Sequence, residues 1–232
     1  MKSKIMEKGS FKKLKIKIFF AFPLAFILTA AMLFLPAGSL KYWQGWVFCA
    51  VIFLPALFVT VYFLKRSPEF IERRMKFKEK EMRQKAFIKI ASIIFFLGFL
   101  IPGFDYRFGW SAVPFWLALK SDAVILAGYF LMFLSFKENI FAGRTVEVFE
   151  GQKVIDTGPY AVVRHPMYAG ILPLFLFIPT ALGSYWALIP FIPVCVIIIL
   201  RILNEEEVLK RDLPGYKAYC EKVRYRLVPF VW

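Results

Sequence analysis

The sequence predicts an all-helical integral membrane protein of about six crossings, and three observations carry that prediction. Hydrophobic residues make up 59% of the 232 and aromatic residues 19%, with mean hydropathy +0.61, against about 45–50% apolar residues in an ordinary globular domain. The excess is gathered in uninterrupted runs such as residues 18–36 and 45–64, each near the roughly 20 residues that cross a hydrocarbon core as a helix. The third observation is where the charge falls. The chain carries 31 Lys and Arg against 16 Asp and Glu, a formal charge of +15. Of those cations 28 lie within residues 2–17, 65–89, 137–164 and 201–226, and only Lys41, Arg107 and Lys120 lie in the connections between. Cytoplasmic connections of membrane proteins are enriched in Lys and Arg, so the basic segments and both termini are expected in the cytoplasm, which requires an even number of crossings.

The elements follow in order. A first span over 18–35 is too long for a cleaved signal segment and is followed by further spans, so it is expected to be retained. It turns through 36–41 into a second span over 42–64, which tolerates Pro55 because neighbouring helices can satisfy freed backbone groups. The connection 65–85 is charged but includes Phe70, Ile71, Met75, Phe77 and Met82; it reads as a weakly amphipathic helix on the membrane surface or as a solvated linker. A third span covers 87–104, an outer loop 105–121 sets Trp110 and Trp116 at the interface, and a fourth span covers 122–141. Residues 142–166 mix Gly143, Gly151, Gly158 and Pro159 with polar residues and read as a folded loop. A tight apolar pair then spans 167–182 and 185–203, turning at Gly183 and Ser184; its first member is short and carries Pro173 and Pro179.

Several chemistries are excluded at this stage. The basic segments match membrane topology and attraction to anionic headgroups, so nucleic acid is not expected as a partner. Cys49, Cys195 and Cys220 form no CxxC pair, and His165 is the one histidine, so neither a disulfide framework nor a metal site is expected. There is no Walker loop, G-x-S-x-G or H-E-x-x-H, and no G-x-G-x-x-G opening a helix.

Functional residue types concentrate in two stretches that flank the last hairpin. The first runs from Gln152, Lys153, Val154 and Ile155 through Gly158, Pro159 and Tyr160 to Arg164, His165, Pro166, Met167 and Tyr168. Pro166 suits the first turn of a helix, where its missing N–H costs nothing, so Arg164 and His165 stand where unpaired backbone donors favour polar or anionic ligand groups. The second is Arg201 followed by Asn204, Glu205, Glu206 and Glu207. Arg201 and Glu205 are four apart and share a helical face; three carboxylates at the carboxyl end of a span would oppose its dipole. The hairpin returns both stretches to one face, so Tyr160, His165, Tyr168, Arg201 and Glu205 are expected to converge. Interfacial salt bridges are the alternative reading of both clusters.

At these residues the chain resembles the isoprenylcysteine carboxyl methyltransferase family, part of a wider group of integral membrane methyltransferases that includes the phospholipid methyltransferases. The resemblance runs over about residues 137–229 and rests on Gly158-Pro159-Tyr160, on Arg164 to Tyr168, on Arg201 with Glu205, Glu206 and Leu209, and on Tyr216 and Tyr219. It divides the chain into amino-terminal membrane helices, 1–136, and a methyltransferase core, 137–232. It implies S-adenosylmethionine as cofactor in a cytoplasm-facing pocket, and a lipophilic methyl acceptor, extending to the carboxylate of an isoprenylcysteine-like compound. Gln152, Lys153, Val154 and Ile155 are expected to line the cofactor, Tyr160, His165, Pro166, Met167 and Tyr168 to contact it, and Glu205 to bind a polar part of it. Arg201, which would face the acceptor, is expected to serve the reaction together with Arg164 and Glu206. A carboxylate acceptor needs no base; an amine or thiol would lose a proton, for which Glu206 is the candidate. Two other readings stand beside this one: an NADPH-dependent membrane enzyme like the steroid reductases, and a transporter or scaffold.

Overall fold

The structure is a computed structural model and describes residues 8–75, 82–142, 148 and 151–232. It is all helical, with no strand among the described residues. The elements are α1 (Lys8–Ala37), α2 (Trp43–Arg66), α3 (Pro68–Arg74), α4 (Met82–Phe108), α5 (Phe115–Glu138), a 3-10 turn (Gly158–Ala161), α6 (Pro166–Ala181), α7 (Leu188–Asp212) and α8 (Tyr216–Lys222). Among the described residues four stretches, Phe11–Ala37, Trp43–Arg66, Phe115–Glu138 and Leu188–Asp212, are long and apolar enough to cross a membrane. α6 has 16 residues, about 24 Å at 1.5 Å per residue, short of the ~30 Å hydrocarbon core.

Helices α5 and α6 are pressed together where two glycines meet. A Cβ on Gly128 would stand 2.6 Å from the Gly170 carbonyl oxygen, and one on Gly170 equally close to that of Gly128; small residues at such a crossing let backbones approach closely. Gly103 does the same for α4 against α1, with the Leu33 carbonyl 2.5 Å from the position a Cβ would take. The core fills around these contacts with Phe48 of α2, Phe99 of α4, Ile125 of α5, Ile178 of α6 and Phe191 of α7. Outward, Phe19, Phe20, Leu24 and Leu28 of α1 and Ile189 and Ile192 of α7 are exposed, as expected of side chains whose solvent is lipid.

The end of the bundle away from the loop 142–166 is closed by a buried carboxylate. Asp105 accepts hydrogen bonds from the Ser111 amide at 2.7 Å, the Ser111 hydroxyl at 2.6 Å and the Ser184 hydroxyl at 2.5 Å. It thereby fastens the α4–α5 connection to the α6–α7 turn. Trp110 and Trp116 are exposed at this end, the places expected of interfacial aromatics.

Several boundaries differ from the sequence expectation. α5 starts at Phe115, inside the expected outer loop, which shrinks to residues 109–114. α7 continues past Leu203 to Asp212, so Glu205, Glu206 and Glu207 lie within a helix rather than at its end. Its last turn holds Lys210 and Arg211, cations that complement the helix dipole. In the connection 65–85 the described residues are helical rather than a solvated linker: α3 buries Phe70 and Ile71 against Phe63 and Phe136, and residues from Met82 onward already belong to α4. Phe77, Gly143 and Val146 lie outside the described residues.

Candidate functional site

The 3-10 turn begins at Gly158, with φ +55 and the Glu138 side chain so close that a Cβ would come within 2.7 Å of it. The Thr157 hydroxyl donates to Glu138 at 2.9 Å, which fixes the turn to the end of α5. Tyr160 is thereby turned inward, with its phenol hydrogen-bonded to the Asn139 side chain and its carbonyl accepting from the Tyr219 hydroxyl at 2.7 Å. Two residues of the tail then pair with the loop backbone: the Arg164 amide donates to the Tyr225 carbonyl and the His165 amide to the Arg226 carbonyl, both at 2.9 Å. Pro166 opens α6 at its first position, as expected. Lys222 of α8 adds an exposed tie, donating to Asp156 at 2.6 Å and holding that carboxyl below its ordinary range.

These contacts enclose a polar pocket with about 760 Å³ free of protein atoms, part of it open to the surroundings. Gln152, Lys153, Val154, Ile155, Tyr160, Arg164, His165, Met167, Tyr168 and Glu205 line it. Pro166 lies behind the wall. Arg201 and Glu206 also lie outside the lining. Arg201 reaches it through a relay in which its Nε donates to the Tyr168 hydroxyl at 3.0 Å and that hydroxyl donates to Glu205 Oε2 at 2.8 Å. Sequence reasoning did not single out Asn139, Phe141, Ala142 or Leu213, which complete the walls with Leu209, Tyr216 and Tyr219.

Glu205 and Glu206 are adjacent in sequence but serve different surroundings, because successive residues of an α-helix point about 100° apart. Glu206 is 2% exposed. Arg164 Nε and His165 Nε2 lie 3.1 and 3.2 Å from its Oε1, and Arg226 Nε and Lys210 Nζ lie 3.2 and 3.6 Å from its Oε2. The Arg164 contact is an ion pair without hydrogen-bond alignment, since its Nε has no aligned acceptor. One buried carboxylate thus joins α7, the loop and the tail, which is the cluster of charges that fixes the pocket floor.

Burial raises the phenols of Tyr160, Tyr216 and Tyr219 well above the ordinary tyrosine value, so all three are neutral hydroxyls near pH 7. Among the described residues the buried Tyr216 hydroxyl has no hydrogen-bond partner, and its side chain lines the pocket. A carboxylate, flat aromatic walls and a hydroxyl awaiting a partner suit a compact ligand with a ring and several polar groups.

Long apolar helices with such a pocket at one end of their bundle define an all-helical membrane protein with a polar cavity at the mouth of the hairpin formed by α6 and α7. Residues 116–214 match the family model described as phospholipid methyltransferase, which stands among the membrane methyltransferases related to isoprenylcysteine carboxyl methyltransferase. The match covers α5 to the end of α7 and so most of the pocket wall; it supports a membrane methyltransferase. The chain is also 28% identical over 94 residues to a Delta(14)-sterol reductase of Mus musculus, an alignment covering 38% of this chain and 22% of that protein.

Proposed function

We propose that the protein transfers the methyl group of S-adenosylmethionine to a lipophilic acceptor that reaches the pocket from the membrane. The observation that carries this reading is the pocket itself, where Glu205, the Tyr216 hydroxyl and the rings of Tyr160, Tyr219 and Phe141 meet within the methyltransferase-like part of the chain or against it.

When bound, S-adenosylmethionine supplies a methyl on an already activated sulfonium: the acceptor–methyl bond forms as the sulfur–methyl bond breaks, and S-adenosylhomocysteine leaves. The chain therefore has only to bind, orient and exclude water, and good positioning can remove roughly 7–11 kcal/mol of a barrier. Glu205 receives the ribose hydroxyls or the amino group; Gln152 to Ile155 line the ligand; Tyr160, His165, Met167 and Tyr168 contact it, with Pro166 fixing where α6 starts. Arg201 acts through Tyr168 by holding Glu205 in place. Arg164 and Glu206 hold the floor rather than touching the reacting atoms. Glu206, with Arg164, Arg226 and Lys210 against it and His165 hydrogen-bonded to it, is a poor proton acceptor, which favours an acceptor that needs no base, such as a carboxylate. α4 and α6 are read as the fifth and sixth crossings, with both termini and the pocket on the cytoplasmic side.

The similarity to the sterol reductase favours one second reading, NADPH-dependent reduction. Calorimetry on the purified protein in bilayer discs separates the two. Saturable binding of S-adenosylhomocysteine is expected; saturable binding of NADPH with none for S-adenosylhomocysteine would replace methyl transfer by reduction.

A further inference from the structure

Beyond Tyr225 and Arg226, whose carbonyls pair with the loop, the chain folds back on itself in a closed turn over residues 227–232. The Leu227 and Val228 amides donate to the Trp232 main-chain oxygen at 2.9 and 3.2 Å, and the Val231 and Trp232 amides donate to the Val228 carbonyl at 3.2 and 3.1 Å. Pro229 has no N–H to satisfy, so most of the turn's backbone donors are met within it. Backbone that supplies its own partners is the condition for lying where water is scarce.

The side chains of the turn divide between two directions. Inward, Leu227 is buried in one cluster with Tyr168 of α6 and Ile198 and Ile202 of α7, and Trp232 packs against that cluster. Ile198 stands about 9 Å before Asn204 along α7 at 1.5 Å per residue, so the turn is seated on the apolar part of a helix long enough to cross a membrane. Leu200 and Leu203, at the same level of α7, are exposed. Outward, Val228, Phe230 and Val231 are 51%, 88% and 78% exposed, and Phe230 is the most exposed large apolar side chain among the described residues. Its φ is +66, a left-handed conformation that bulky residues rarely adopt and glycine adopts freely. The bend therefore presents a ring to the surroundings, stacked at 5.3 Å on Tyr225, where a glycine would serve the backbone better.

We propose that residues 227–232 form a wedge seated at the boundary between headgroups and acyl chains of the surrounding bilayer, with Phe230 and Val231 entering the acyl layer. Lipid is the partner because the turn continues the lipid-facing surface of α7 at the level of Leu200 and Leu203, and because its backbone is largely closed on itself. Its polar side points the other way: Arg226 Nε lies 3.2 Å from Glu206 Oε2, with its guanidinium over the Trp232 ring at 5.1 Å. Charge on one side with aromatic and aliphatic side chains on the other is the pattern of an interfacial anchor. The Arg164 and His165 amides hold the Tyr225 and Arg226 carbonyls, so the wedge ties the pocket floor to the membrane surface. This holds whatever reaction the pocket carries out, and its test needs no cofactor.

The test uses the full chain in phosphatidylcholine bilayer discs and two independent readouts. In the unsubstituted protein, a phosphatidylcholine with a diazirine near the start of one acyl chain is expected to crosslink to Phe230 or Val231, mapped by mass spectrometry. V231D should reduce that labelling roughly tenfold, the order of effect for withdrawing a Val side chain from an apolar medium, while labelling of Phe20 of α1 and Leu203 of α7 persists. For the second readout, nitroxides are placed at V231C and at K217C, an exposed position of α8, in a background with C49A, C195A and C220A. The label at 231 is expected to meet oxygen more readily than a water-soluble nickel chelate, and the label at 217 the reverse. A label at 231 that is open to the chelate puts the turn in water and overturns the proposal. A label at 231 closed to both reagents means that protein, such as a second copy, covers the turn, and overturns it equally. So does lipid labelling that reaches Phe20 and Leu203 but spares residues 227–232, or that V231D leaves unchanged.

Discussion

The Tyr168 hydroxyl donates to Glu205 at 2.8 Å and so aims a carboxylate of α7 into the pocket from a side chain on the first turn of α6. The same hydroxyl receives Arg201 Nε at 3.0 Å, so three residues on two helices hold one orientation. Removing the central hydroxyl, by Tyr168→Phe, is expected to weaken S-adenosylhomocysteine binding by about 1–2 kcal/mol with a nearly unchanged melting temperature. Isothermal calorimetry and thermal unfolding of the same preparation check both halves.

Arg201→Lys keeps the charge and loses the fork whose Nε meets Tyr168. If Arg201 works through Tyr168, the two substitutions report one interaction: the double variant should bind S-adenosylhomocysteine no more weakly than the worse single one, a coupling of the order of 1 kcal/mol. Full additivity would mean that Arg201 acts independently of the relay. A loss of methyl transfer with cofactor binding intact would instead place Arg201 on the acceptor.

The adjacent carboxylates should fail in different ways. Glu205→Gln is expected to weaken cofactor binding by about 1–3 kcal/mol while leaving the fold intact. Glu206→Gln removes the carboxylate between Arg164 and Arg226 and leaves the buried Arg164 guanidinium without it, so it should cost about 3 kcal/mol of stability. Melting temperature drops for the second and not the first; the reverse pattern would exchange their roles.

At the α5–α6 crossing there is no room for a methyl group on either glycine, since the obstacle is backbone at 2.6 Å rather than a movable side chain. Gly128→Ala should therefore destabilise the protein by about 1–3 kcal/mol, and Gly170→Ala likewise, whereas Gly9→Ala, which meets nothing within 4 Å, should be neutral. Thermal unfolding in one detergent compares all three.

What the sequence made legible was whatever repeats or stands at a boundary. The apolar runs of α1, α2, α5 and α7 have the length of a crossing, Pro166 announces the first turn of α6, and Tyr160, His165, Tyr168 and Glu205 do meet at one pocket. The polar half of α7 was hidden because apolar periodicity ends at Leu203 while good helix formers, Glu, Leu and Lys, carry the helix on to Asp212. Spacing put Glu205 on the face of Arg201, but that Glu206 meets Arg164 and Arg226 rather than the pocket became visible only once the helix phase was fixed against Tyr168 on one side and Arg164 on the other. Asn139 carries no local signature; only the fastening of the end of α5 to the 3-10 turn brings it to the pocket.

If α6 crosses the membrane, as the methyl-transfer reading has it, its shortness would set how far an acceptor head must climb. A helix of about 24 Å in a slab of ~30 Å either begins beneath the headgroup plane or draws that plane inward by thinning the bilayer. In both cases the loop bearing Arg164 and His165 would come down toward the acyl region instead of the lipid being lifted out to meet it. Each methylene pulled from hydrocarbon into water costs about 0.8 kcal/mol, so a recessed floor spares an extraction penalty that grows with every carbon exposed. Turnover should accordingly respond to bilayer thickness, slowing in thick membranes where the floor is stretched away from the chain that it serves.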